Sequence, residues 1–188
     1  MPVFNFKTGR REYHGNYLRI EESDVIIMEG IHSLNPAMTY KLEESDKYKI
    51  YISPLNQLYI DDKDGQRVKV STMDSRLLRR MVRDYRTRGN DVENTLSMWK
   101  SVRNGEEKYI FPYESEADVM FNSGLLYEYT AVGKAAKPLL QAVGQGSKYY
   151  EEVQRLLKFV NMFRDIDEGC IPANSILREF IGGGCFDI

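Results

Sequence analysis

The sequence predicts an α/β layer fold, and three observations carry that prediction. Val25-Ile26-Ile27-Met28 is an unbroken apolar run between Asp24 and Glu29-Gly30, the signature of a buried parallel strand. Asp74 to Arg88 repeats apolar residues at Leu77, Leu78, Met81, Val82 and Tyr85, the stripe of an amphipathic helix. Short strand patterns alternate with such helical stripes along the chain, which implies helices layered on a sheet.

The elements follow in order. Asp24 to Gly30 is the first strand. Tyr48 to Ile52 is a second, stopped by Ser53-Pro54. Leu58-Tyr59-Ile60 and Val68-Lys69-Val70 flank Asp64-Gly65 and form a hairpin, since glycine tolerates positive φ. The helix at 74–88 is capped by Thr72 or Asp74 and ended by Gly89-Asn90. Asp118 to Asn122 is a further strand. Leu125 to about Val143 is helical, with Pro138 as a kink or break. Tyr150, Val153, Leu156, Leu157, Val160 and Phe163 mark another helix, bounded by Gly169 and Pro172.

The chain has 188 residues, 26 Lys+Arg against 28 Asp+Glu, and 42% hydrophobic residues. That is enough for a sizeable core and excludes a disordered chain. A net charge of -2 argues against a general nucleic-acid binder. Cys170 and Cys185 are expected as free thiols in a reducing cytoplasm. No apolar run approaches the ~18 residues of a membrane span, and no signal peptide opens the chain.

The most unusual local feature is the helix at 74–88, which holds Arg76, Arg79, Arg80, Arg83, Arg86 and Arg88. Placed opposite the apolar stripe, these permanently charged forks match phosphate oxygens. Asp74 and Asp84 offset only part of the charge, which points to a polyphosphate ligand. The same helix also fits a solvated face paired with surface acids, and the sequence leaves both open. Glu29 ends a predicted strand, where ligands sit in open α/β sheets. His32 follows in a loop and could touch a substrate or carry a proton. Trp99 reads as core. The stretch 61–65 fails as a calcium loop because Ile60 stands where an acid is needed. No H-E-x-x-H, C-x-x-C or G-x-S-x-G occurs.

Three segments in this order, DVIIMEGIHSLNP (24–36), DSRLLRRMVRDYRTRG (74–89) and EADVMFNS (116–123), resemble the uridine kinase/phosphoribulokinase family of P-loop kinases. WKSVRNGEEKYIFP (99–112) and IPANSILREFIGGGCF (171–186) resemble a bacterial branch of uridine kinase-like proteins. The resemblance implies a partial P-loop kinase-like parallel sheet with flanking helices over 1–143, including an arginine lid helix at 74–89. Residues 144–188 would be a helical extension. It implies an ATP- and Mg²⁺-dependent phosphotransferase acting on a nucleoside or similar small hydroxyl acceptor, in the cytoplasm, with self-association as an option. Arg83, Asp84 and Arg88 match the lid motif R-D-x-x-x-R-G over the ATP phosphates. Glu29 matches the acid that helps hold Mg²⁺. Arg80 and Phe4, within Phe4-Asn5-Phe6, match residues beside the nucleoside, and His32 joins them as a substrate contact.

The departures are specific. Phe4 replaces a tyrosine, Gly9 lies near a family histidine, and Asn90 replaces an arginine. No G-x-x-x-x-G-K-[ST] occurs, and the segment with the family's phosphate loop and aspartate base would precede Phe4. The expectation is the later part of a kinase, inactive alone. The alternative is a non-catalytic module that binds a nucleotide or another polyanion.

Overall fold

The computed structural model describes residues 2–5, 8–55, 58–61 and 64–186; for 2, 4 and 61 it describes the backbone. In chain order the elements are β1 (Pro2–Asn5), β2 (Arg10–Tyr13), β3 (Ile50–Ser53), β4 (Tyr59–Asp61), β5 (Arg67–Lys69), α1 (Thr72–Arg88), α2 (Val92–Tyr109), β6 (Val119–Asn122), α3 (Glu128–Gln141), α4 (Tyr150–Val160) and α5 (Arg178–Ile181). The fold is mixed α/β, with one parallel pair and flanking helices among the described residues. β3 pairs with β6 in parallel, Ile50 opposite Val119 and Ser53 opposite Asn122. β1–β2 and β4–β5 are antiparallel hairpins. Gly65 turns the second at φ +73°, as its sequence implies.

One strand expectation is corrected. Asp24 to Gly30 forms no strand and is exposed throughout, with Val25 at 88% and Ile27 at 89%. Four apolar residues in a row suit a strand only when neighbours cover both faces. Here no strand pairs with them among the described residues. β3 and β6 are likewise bare on much of their surface, with Ile50, Ile52, Val119, Met120 and Phe121 exposed.

The core lies instead among the helices. Leu77, Leu78, Met81 and Val82 of α1 pack with Tyr129, Val132, Ala136 and Leu140 of α3. Val153, Leu156 and Val160 of α4, and Leu177 and Phe180 near the C-terminus, complete the same cluster. Residues 1–143 and 144–188 therefore share one core. Gly133 lets α4 approach α3, since a Cβ there would already touch Val160 at 3.4 Å. Tyr129 stacks on Phe163 at 5.0 Å and meets Phe159 edge-on at 5.2 Å, geometries that aromatic quadrupoles favour. Pro138 sits within α3, which runs three residues beyond it to Gln141.

α1 is capped by Ser71 rather than by Thr72 or Asp74. Its hydroxyl oxygen accepts from the amides of Met73 at 3.2 Å and Asp74 at 3.4 Å. Gly89 ends the helix in the left-handed region at φ +67°, and its N–H donates to the Asp84 carbonyl. α2 is an element that sequence reasoning missed. Asp91 caps it through Asn94 N–H at 2.7 Å, and Val92, Thr95, Leu96 and Glu106 form its buried side. Trp99 is half-buried against the core, as expected. Cys170 and Cys185 are free thiols. No helix among the described residues is long and apolar enough to cross a membrane.

Candidate functional site

The site is built on α1. Arginine is permanently ionised, so six on one helix need anions nearby. The structure supplies partners from several elements, and Asp84 and Glu179 each serve two of the six. Arg79 is buried at 7% exposure and forms a bidentate pair with Glu128, itself 1% exposed: Nε to Oε1 and Nη2 to Oε2, both 2.5 Å. Ser75 donates to the same carboxylate at 2.7 Å. Arg76 pairs with Glu106 of α2, which also accepts from Arg103 at 3.2 Å. The arginines therefore do not share one solvent face. Arg79 points into the core beside the apolar stripe, where it is a structural cation.

Arg79 also donates to the Ser123 carbonyl at 3.1 Å. Ser123 directly follows β6, so the arginine helix is pinned to the carboxyl end of the parallel pair. Ligands of open α/β sheets bind outside that end. Asn122 strengthens the same corner. Its side-chain oxygen accepts from Leu55 and Gly124 N–H, each at 2.9 Å, and its amide donates to the Leu55 carbonyl at 3.1 Å.

Asp84 organises the second half of the helix. It is fully buried, and Arg88 Nη1 donates to its Oδ1 at 2.8 Å. Arg80 Nε lies 3.1 Å from Oδ2 but off the hydrogen-bond direction, which leaves Oδ2 without an aligned donor among the described residues. One buried carboxylate thus holds two partly exposed guanidinium groups, one turn to either side. Arg86 and Arg88 also sit at the negative end of the helix dipole. Arg83 reaches across to Glu179 at 2.8 Å.

The structure brings together Arg80, Arg83, Asp84 and Arg88 on one helix. The other expected residues stand elsewhere. Glu29 is exposed in an irregular segment. Among the described residues no three acids, histidines or cysteines converge to hold a metal. Mg²⁺ takes one or two carboxylates together with substrate oxygens and waters. A single exposed Glu29 does not make such a site, so no chemical step is assigned to Mg²⁺ here. His32 is exposed, its ring edge-on to Tyr109 at 6.3 Å. The Phe4 backbone pairs with Arg11 in the first hairpin, whereas its side chain and Phe6 lie outside the described residues. Glu128, Glu106 and Glu179 partner these arginines and were not found in the sequence. Glu128 carried a signal, an acid at the head of the helical row Val132, Ala136 and Leu140.

Comparisons with known proteins fit this arrangement. Residues 67–127, which include all of α1, match the model of the Phosphoribulokinase / Uridine kinase family. That stretch of the chain is thus similar to a segment of the family. It is 32% identical over 124 residues to a uridine kinase of Halalkalibacterium halodurans, a match covering 65% of this chain and 48% of the relative. It is 29% identical over 125 residues to uridine-cytidine kinase 2-B of Danio rerio, covering 66% of this chain and 40% of that one. A uridine kinase of Bacillus pumilus is 27% identical over 124 residues, covering 65% and 49%. The chain spans about half the length, or less, of these curated relatives. No solved structure matches it significantly. Arg80, Arg83, Asp84 and Arg88 lie inside the family match, whereas Phe4, Glu29 and His32 lie outside it.

Proposed function

We propose that α1 is the phosphate-contacting helix of a uridine kinase-like phosphotransferase that uses ATP and a nucleoside or similar hydroxyl acceptor. The observation that carries this reading is the pinning of the arginine helix to the carboxyl end of β6 through Arg79 and Ser123. In the proposal Arg83 and Arg88 neutralise phosphate charge, and Asp84 is the buried carboxylate that orients Arg88 and Arg80. Phosphoryl transfer is mostly positioning and charge neutralisation, which guanidinium groups supply without moving a proton. Arg80, Phe4 and His32 are proposed to face the acceptor, and Glu29 to serve the metal in a longer assembly. Residues 1–143 are the proposed kinase-like part and 144–188 its extension, in a cytoplasmic protein. This chain alone is proposed to be inactive.

A non-catalytic polyanion-binding module is the second reading, favoured because no three metal-ligating side chains converge among the described residues. Calorimetric titration with ATP, ADP and tripolyphosphate tests both. Saturable binding is expected, weakened at least ~10-fold in Arg83→Ala/Arg88→Ala, since a charge-assisted contact is worth about 1.5–3 kcal/mol. Unchanged affinity in that variant would overturn the phosphate role. Turnover of ATP with uridine, abolished by Glu29→Gln, would overturn the proposed inactivity.

A further inference from the structure

The arginines of α1 differ in what neutralises them. Arg76 and Arg79 are held by neighbouring helices, and Arg80 and Arg88 by Asp84 on α1 itself. Arg83 and Arg86 are held by the C-terminal segment, more than 90 residues along the chain. Glu179 Oε1 accepts from Arg83 Nη1 at 2.8 Å. Arg86 Nη2 donates to the Glu179 carbonyl at 3.1 Å. Gly182 is moulded to the same side chain, because a Cβ there would collide with the Arg86 guanidinium. Its φ of +90° would strain any other residue.

We infer that residues 171–186 are an autoinhibitory strap, in which the Glu179 carboxylate occupies Arg83 where a polyphosphate would bind. The inference rests on the phosphate role proposed for α1. A carboxylate and a phosphate offer the same paired oxygens to a guanidinium fork. Ile171, Leu177 and Phe180 are buried in the helical core and tether the strap. Phe180 lies beneath the guanidinium groups of Arg79 and Arg83, 5.1 and 5.8 Å from its ring centre. The tether keeps Glu179 at high effective concentration beside Arg83. The pair itself is weakly held, with Arg83 29% and Glu179 33% exposed. A ligand with several anionic oxygens therefore displaces it. When Arg83 and Arg86 turn to the ligand, α5 loses the guanidinium that holds its carbonyls.

The test titrates tripolyphosphate into the full chain, Glu179→Gln and Arg83→Ala, and follows amide exchange over residues 178–185. Glu179→Gln is expected to bind roughly two- to fivefold tighter at low salt, the range of a partly exposed ion pair. Tripolyphosphate is expected to speed exchange in the strap of the parent chain and leave that of Arg83→Ala unchanged. Equal affinity of Glu179→Gln and the parent, or tighter binding with unchanged strap exchange, overturns the strap. If Arg83→Ala loses binding in that case, the phosphate role of α1 still stands. Absence of binding by all three chains overturns both.

Discussion

Replacing Glu128 by alanine strands a guanidinium group in the core. Arg79 would lose both charge-assisted bonds and keep the Ser123 carbonyl as its acceptor, while the buried Ser75 hydroxyl would lose its acceptor. Removing one partner of a buried ion pair costs about 3–5 kcal/mol, because the remaining charge is left desolvated. The orphaned hydroxyl adds ~1 kcal/mol, not strictly additive. For a chain of this size a urea m-value of ~2 kcal/mol/M applies. The unfolding midpoint of Glu128→Ala is therefore expected to fall by about 2–3 M. Arg79→Met/Glu128→Leu, which removes both charges and keeps apolar volume, is expected to recover most of that loss. Urea unfolding followed by circular dichroism reads both. A midpoint drop below ~0.5 M, or a double variant no more stable than Glu128→Ala, would refute the argument that Arg79 is a structural cation.

Two further outcomes follow from the same geometry. Ser71→Ala removes the cap of α1 and is expected to cost about 1 kcal/mol in urea unfolding, whereas Thr72→Ala leaves that cap in place. The Glu44 carboxyl is lowered from 4.5 to about 2 by hydrogen bonds from Lys47 and Lys49. A depressed folded-state value means that its contribution to stability is present above about 4.5 and is lost as pH falls through about 2. An NMR titration of the Glu44 carboxyl is expected to show that midpoint at low salt and a return toward 4.5 at high salt. A low-salt midpoint at the ordinary value would remove the Lys47 and Lys49 pairs from the account.

The helical half of the chain was legible because local pattern and burial agree there. The stripe Leu77, Leu78, Met81 and Val82 is buried as its spacing requires, and Gly89 ends the helix in the conformation that glycine permits. The parallel pair was legible too, near Tyr48 to Ile52 and Asp118 to Asn122. Val25 to Met28 failed for a physical reason, since an apolar run becomes a strand only beside another strand. α2 escaped notice because its inward side includes Thr95 and Glu106, which weaken its apolar stripe. The arginine helix was found by composition, but the partners of Arg76, Arg79, Arg83 and Arg86 lie 30 to 96 residues away. Long-range ion pairs leave no periodicity to read. Arg79 therefore looked like its neighbours, although it is buried and they are not.

The bare segment Val25-Ile26-Ile27-Met28 has a consequence for how the chain behaves in concentrated solution. It joins high β-propensity with no charge, the composition that stacks into cross-β ladders when backbone amides are open. Asp24 and Glu29 bracket it. In a stacked, in-register ladder these acids would lie a strand spacing of ~4.8 Å from their copies, and like charges at that distance repel. Glu29 is thus a gatekeeper against self-templating, whatever its role in chemistry. Neutralising both acids, as in Asp24→Asn/Glu29→Gln, removes that repulsion while the apolar run stays exposed, and is expected to lower solubility.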